Sequence, residues 1–436
     1  MDHHETGNTT GDHVLVRVSG NREGTQETEP GTPGNSTEER SLSRSTIFLF
    51  AVACGISVAN VYYAQPLLDA MSRSFNIREA SAGIIITATQ IGCAIALIAL
   101  VPLGDILNRR KLLIAQLVVL VLALLLVSTA ASRPVMLAGM AALGLLGTAM
   151  TQGLLAYAAT LAAPSQRGRV VGAAQGGVVV GLLLARTVAG ILADISGWRS
   201  VYICSAVLAA IMAIILTKKL PDDNTPVQKQ SYGSLLRSMW TLFKTEPVLR
   251  NRSILAMLMF AVFSAFWTSL VLPLSGPPHA LSHTMIGSFG LVGVVGILGA
   301  SRAGALSDQG KGQWTTGIAL LLLLLSWLPI AFTQQSLWAL VAGVVLLDLA
   351  AQALHVTNQG MIFSIGNNSH SRIVGVYMIF YAIGSGTGSI ASTTVYARYS
   401  WTGVCWLGAI FCLLAIGWWW WTFQCGEKKK PGEGSI

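Results

Sequence analysis

Charge is what this sequence has least of. Asp, Glu, Lys and Arg make up 11% of its 436 residues, against 53% for the hydrophobic types, too few ionic groups to clothe a water-facing globule. Cysteine is sparse as well. Cys54, Cys93, Cys204, Cys405 and Cys412 lie inside apolar stretches and Cys425 at the end of the last; without paired metal-type spacing they are expected to be small buried hydrophobes. No ATP-binding loop and no enzyme signature occurs, so neither nucleotide-driven work nor catalysis is indicated. No secretory signal precedes the first apolar stretch: residues 1–44 are polar and rich in Gly, Thr, Glu and Ser, and are expected to be a disordered cytoplasmic tail.

What is present is oil in measured lengths. The apolar residues gather into twelve runs with approximate cores at 46–70, 81–103, 112–131, 135–161, 170–193, 201–217, 253–274, 285–306, 316–333, 337–363, 373–397 and 402–423, and about 20 apolar residues span a bilayer as a helix. Stretches such as LVVLVLALLLV and IALLLLLL are apolar on every side, which excludes the apolar/polar alternation of a membrane barrel. The expected fold class is therefore an all-α membrane protein with twelve transmembrane helices.

The formal charge of +9 would raise the question of nucleic acid in a soluble protein. Topology accounts for it here. With both tails in the cytoplasm, only Arg73, Arg78, Arg133, Arg199 and Arg398 fall on the outer side and one cation, Arg186, is left inside a run; every other Lys and Arg is on the inner side, as the positive-inside rule requires. The glycosylation-like triplets at Asn8, Asn35, Asn251 and Asn367 then become cytoplasmic and unused.

The longest connection, 218–252, carries Pro221, Asp222, Asp223, Pro226 and many Lys or Arg and looks like an interdomain linker. It separates an expected six-helix bundle over 45–217 from a second over 253–423, followed by a tail at 424–436. The halves echo each other: VPLGD ends at Asp105 after the second run, and GALSD ends at Asp308 after the eighth, which suggests an internal repeat. Runs three, six, nine and twelve are almost wholly apolar, while the others carry Asn, Gln, Tyr, Thr, Arg, Asp or His. Every third helix should thus face lipid, and the rest should surround a central cavity.

These segments resemble a known family. LGDILNRRKLL resembles the signature between helices two and three of the major facilitator superfamily, with Gly104, Asp105, Arg109, Arg110 and Lys111 matching; it departs at Val101, Ile106 and Asn108, where Gly, Arg and Gly are usual. ANVYYAQPLLD (59–69), RGRVVG (167–172), GLLLART (181–187), GWR (197–199), LLDLAAQALHVTNQ (346–359) and SRIVGVYM (371–378) together resemble its arabinose-efflux-permease-like group, over essentially Thr46 to Phe423. The resemblance implies two six-helix bundles working by alternating access, as a monomer in the plasma membrane. It implies secondary active efflux of a drug or sugar derivative, in exchange for protons and without a cofactor. It also implies that Asp105, Arg109 and Arg110 belong to a cytoplasmic gate, with Asp308 as a weaker counterpart. Two positions depart from the proton-coupled drug antiporters of the superfamily: Met140 stands where a fourth-helix Arg is often used, and Arg186 near where the fifth-helix pattern has Pro.

Within the runs, Arg186 is expected to anchor an anionic substrate group, to pair with a carboxylate, or to serve as a structural hub, because an unpaired guanidinium in hydrocarbon costs at least about 2.5 to 3.5 kcal/mol. Gln175, eleven residues earlier, falls on the same helix face. Asp348 is followed by Gln352, His355 and Gln359 at +4, +7 and +11, one polar stripe. Asp348 is expected to be the coupling protonation site or a static buried acid, paired across the halves with Arg186 in one conformation. Asn60, Tyr63, Gln90 and Gln152 are expected to line the cavity, with Trp267 and Tyr381 as stacking surface. Gly384 and Gly388, the series Gly168, Gly172 and Gly176, and glycine at every third position from Gly287 to Gly299 are expected at close helix contacts that let the halves slide. Arg186 also keeps open a uniporter or uptake symporter of a small organic anion, and the tails keep open a non-transporting sensor or scaffold.

Overall fold

The computed structural model describes residues 42–163, 166–220, 232–363, 365 and 370–427, the side chains of 105, 235, 308, 370, 371 and 425–427 excepted. The expected N-terminal tail before residue 42, most of the linker before Tyr232 and the last residues of the chain lie outside that range, as do Asn8, Asn35 and Asn367.

Apolar runs become helices because a backbone without water must satisfy its own hydrogen bonds. Among the described residues, eleven helical segments are long and apolar enough to cross a membrane: Arg44–Tyr62, Glu79–Gly104, Arg109–Ser128, Arg133–Leu161, Arg167–Ser196, Trp198–Lys219, Pro247–Ser275, His283–Leu306, Gln309–Ala331, Leu337–Phe363 and Arg372–Gln424. The last turns back at Ser400, whose φ of 53° and ψ of −157° interrupt the helix, so that 372–399 and 401–424 cross separately. The total is twelve spans in two groups of six, referred to below in chain order. An even number of crossings puts both ends of the described chain on one side, the terminal face; the opposite side is the far face.

Two spans differ from their sequence outline. The first was expected as one run to residue 70, but the helix stops at Tyr62 and a separate short helix, Leu68–Ser74, follows Pro66, which cannot donate to the helical ladder. The seventh begins at Pro247, not after 252. Arg252 and Asn251 therefore belong to a helix, and Arg186 is not the only cation buried in a span. Arg252 is held by Thr316 Oγ1 at 2.7 Å and Asn358 Oδ1 at 3.2 Å.

The expected division between peripheral and central helices is visible only in part: spans five and eight, expected to be central, expose apolar side chains as freely as the others, among them Leu184, Val188, Val294 and Leu298. Val118, Leu122 and Leu126 of span three, Val207 and Ile211 of span six, Ile318 and Leu321 of span nine and Trp406 and Leu413 of span twelve are exposed apolar side chains, on surfaces that suit lipid. Span seven, at the other extreme, is almost entirely enclosed. The linker ends in an amphipathic helix, Tyr232–Thr245. Tyr232 Oη donates to the carbonyl of Ile98 in span two at 3.0 Å, and the Phe243 ring stacks on Phe380 of span eleven with centroids 4.9 Å apart.

Candidate functional site

The seam between the halves is built from glycine. A Cβ at Gly190 of span five would sit 2.2 Å from the carbonyl oxygen of His283, and one at Gly287 of span eight 2.3 Å from that of Arg186, distances only glycine permits. Thr187 Oγ1 donates to Gly287 O at 3.2 Å across the same contact. Span two meets span eleven as closely: a Cβ at Gly83 would lie 2.2 Å from Ser389 O, Gly83 N donates to Thr393 Oγ1, and Thr87 Oγ1 donates to Gly386 O. Gly384 and Gly388 press against the backbone of span seven at Met257 and Ala261, so the close packing expected of them is present.

This contact does not continue to the terminal face. Spans five and eight touch along His283–Val292 and separate beyond it. Gly168, Gly172 and Gly176, expected at close helix contacts, have nothing within 4 Å of an added Cβ, and Gln175 beside them is exposed. Spans five and eight are thus sealed toward the far face and parted toward the terminal face, while the last helix, His370–Glu427, still meets span two at Ala96–Leu100.

Arg186 and Asp348 lie where the seal ends. Arg186 is 2% exposed and Asp348 5% exposed, and they come from opposite halves. The span-eight glycines hold both: a Cβ at Gly290 would lie 3.2 Å from Arg186 Cδ, and one at Gly293 2.6 Å from Asp348 Oδ2. The two charges act on each other, yet no ion pair closes between them, unlike Arg73–Asp69, His283–Asp69 and His283–Asp194. Arg186 Nε instead donates to Gln65 Oε1 at 2.7 Å. The guanidinium lies 4.2 Å from the Trp267 ring centroid and 5.3 Å from that of Tyr62, an arrangement that stabilises a cation with little water. One nitrogen, Nη2, has no partner. Beside this cluster a space of about 10 Å³ lies among Gln65, Pro66, Arg186, Trp267, Leu270, Val271 and Ile286, room for a single water at most.

Toward the terminal face the polar groups continue. Tyr62 Oη and Tyr381 Oη share a 2.5 Å hydrogen bond across the halves, and Tyr381 leans on Phe260 at 3.7 Å. Phe260 meets the edge of His355, whose Nδ1 is 2.9 Å from Tyr377 Oη. Gln352 packs its Cγ on Gly296, while Gln359 and Gln152 are half-buried. Gln90 faces Gly386 of span eleven and leaves Oε1 unpaired. The structure thus brings Arg186, Asp348, Trp267, Tyr381 and Gln90 together across the halves, whereas the contacts of Gln352 and His355 lie within the second half.

Asn60 and Tyr63 turn away from them. Asn60 is fully buried, donates to Ile56 O at 2.8 Å and accepts from Ser205 Oγ of span six at 2.8 Å; Tyr63 is buried beside the same serine. They fasten span one to span six inside the first half, because the helix face they occupy points inward. Met140, expected as the stand-in for a functional arginine, is a core residue against Tyr202 Oη. Arg109 Nε donates to Gly104 O at 2.9 Å and Arg110 Nη2 to Thr217 O at 2.7 Å, both within the first half. The side chains of Asp105 and Asp308 lie outside the described residues.

Sequence reasoning missed Gln65, Arg252 and a cluster at the far face formed by Asp69, Asp194 and His283. Each of the last three ends an apolar run and reads alone as ordinary interfacial polarity; only the fold shows that they meet.

Comparison with known proteins agrees with this architecture. The family model of the Major Facilitator Superfamily matches residues 47–327. Transporter YgaY of Escherichia coli (strain K12) is 43% identical over 389 residues, 89% of this chain and 98% of its own. Multidrug resistance protein MdtG of Serratia proteamaculans (strain 568) is 24% identical, over 87% of this chain and 94% of its own. Among solved structures, a bacterial homologue of the human lysosomal transporter Spinster, inward-facing and unoccupied, superposes with a TM-score of 0.73 at 16% identity, over 90% of this chain and 99% of that one. The chain is a multi-pass integral membrane transporter, not an enzyme, and it belongs to the Major Facilitator Superfamily.

Proposed function

We propose that this transporter moves small organic solutes outward in exchange for protons, with Arg186 and Asp348 as its central charge pair. The observation that carries the reading is their placement: two opposite charges from opposite halves, both buried at the inner limit of a sealed seam, interacting but unpaired. A carboxylate that can either hold a proton or join a guanidinium couples proton binding to the approach of the halves. The name of MdtG, a multidrug resistance protein, is in keeping with export of organic compounds.

Orientation follows from charge. The terminal face carries the excess of Lys and Arg, which supports a cytoplasmic location for it and both chain ends, with the far face outside the plasma membrane. The conformation described above is then open to the cytoplasm. Loading would occur from inside, toward Tyr62 and Tyr381, and closure on that side would bring the parted ends of spans five and eight together.

In proteoliposomes with an imposed proton gradient, the wild-type chain is expected to drive solute against the direction of proton flow. Asp348→Asn should abolish gradient-driven accumulation while leaving solute exchange. Gradient-driven transport that survives in Asp348→Asn sinks the coupling role. A second reading, uniport or uptake of a small organic anion, is favoured by Arg186 Nη2, which has no protein partner and could take a carboxylate or phosphate oxygen. Uptake of anionic solutes with the same dependence on Arg186 would favour that reading over export.

A further inference from the structure

Outside the central site, the cluster at the far face has a geometry of its own. His283 begins span eight, and its two ring nitrogens face carboxylates of the other half: Nδ1 is 3.0 Å from Asp194 Oδ1, and Nε2 is 3.1 Å from Asp69 Oδ1. Asp194 also accepts the backbone N–H of His283 at 3.0 Å and that of Thr284 at 2.8 Å, so an acid of the first half caps the first turn of a helix in the second. Asp69 is tied on its other oxygen to Arg73 of its own short helix.

A neutral imidazole has one donor nitrogen and one acceptor. With an ionised carboxylate oxygen in front of each nitrogen, only the doubly protonated ring makes both bonds; the neutral ring would turn a lone pair toward one of them. The charged groups that act on the ring are Asp69 and Asp194, with Arg73 behind Asp69. Both carboxylates stay with the first half when the halves part, so His283 keeps these partners only while the far face is shut. A proton held more tightly by one conformation than by the other must favour that conformation, by linkage. The site is open to solvent: the His283 side chain is 23% exposed and that of Asp194 27%, whereas Asp348 is buried.

We propose that His283 is an acid-operated latch, in which the imidazole takes a proton from the solution at the far face and, bonded to Asp69 and Asp194 across the seam, holds that side of the transporter closed. Acid then favours the closed far face, and alkali releases it. That the far-face solution is the one outside the cell rests on the orientation proposed above.

The test is a spin-label distance measurement on purified full-length protein in detergent, where both faces meet the same buffer. Labels at R133C and Q335C, on exposed far-face positions of the two halves, are attached after Cys204→Ser and Cys425→Ser. Between about pH 5 and about pH 8, either side of the ordinary histidine range, the population with the far face open is expected to rise about tenfold, the size of a charge-assisted hydrogen bond gained or lost. His283→Gln should remove the response and leave the open population high at both pH values. Asp194→Asn, which keeps an oxygen for the helix cap but loses the charge, should weaken the response if His283→Gln does not yield folded protein. Asp348→Asn should keep it. A wild-type distance distribution unchanged by pH, or a pH response that persists in His283→Gln or in Asp194→Asn at full size, overturns the latch. Loss of the response in Asp348→Asn with its retention in His283→Gln would assign it to the central site instead.

Discussion

The two ends of the seam between the halves are made from the same kind of residue and do opposite things. Toward the far face, Gly190, Gly287 and Gly83 let backbones meet at distances that exclude any side chain. Toward the terminal face, Gly168, Gly172 and Gly176 repeat a similar spacing on span five and touch nothing. A stripe of small residues is therefore permission to pack, not a contact. Which stripe is used depends on the conformation, and a chain that rocks needs one stripe for each side.

Arg186→Ala should break this comparison most severely, because the guanidinium stands at the boundary of the closed and open regions and occupies the space beside Gly290. Solute transport in proteoliposomes should fall on the order of 100-fold, about 2.7 kcal/mol. Tight binding and turnover at wild-type levels would show that the boundary does not need a cation. Gly287→Ala comes next. Its new methyl would meet the Arg186 carbonyl at 2.3 Å, and overpacking of this kind costs about 1–3 kcal/mol, so the far face should stay apart, transport should drop roughly tenfold, and spin-label distances there should lengthen.

Smaller effects separate the seam from the scaffold. Asn60→Ala removes the bridge between spans one and six. A lost interhelical hydrogen bond of this kind is worth about 0.6–2 kcal/mol, so the melting temperature should fall by a few degrees while substrate affinity stays the same. A change in affinity at constant stability would put Asn60 back in the cavity. Gly172→Ala should alter the thermal stability of the conformation described here least, by less than about 0.5 kcal/mol, since no atom lies within 4 Å of the new methyl. A large loss in a conformation trapped open on that side would mean that the stripe packs there after all.

The fold was legible because lipid leaves the backbone few options: run length and all-round apolarity already give twelve helices, though the periphery was legible only in part, since spans five and eight expose apolar faces as well. The boundaries that misled were those where polar residues enter a helix. Arg252 reads as linker because cations are expected outside the hydrocarbon, yet Thr316 and Asn358 make room for it within span seven. At the site, Arg186 and Asp348 stood out as charges in oil. Asn60 and Tyr63 looked equivalent to Gln90 in sequence, but direction around a helix axis decides between cavity and bundle interior, and a polar residue with a polar neighbour on either side of its helix gives no hint of direction. The His283 cluster was invisible for a different reason: its three members are separated by long stretches of chain, and each is unremarkable until the halves close.

The linker helix has a mechanical consequence. It is fastened to span two through Tyr232 and to span eleven through Phe243, so it crosses the mouth on the terminal side as a strap, not as slack rope. Its length then caps how wide that mouth can gape, and replacing it with a flexible tether of equal residue count would change the width of the opening before it changed anything about the chemistry within.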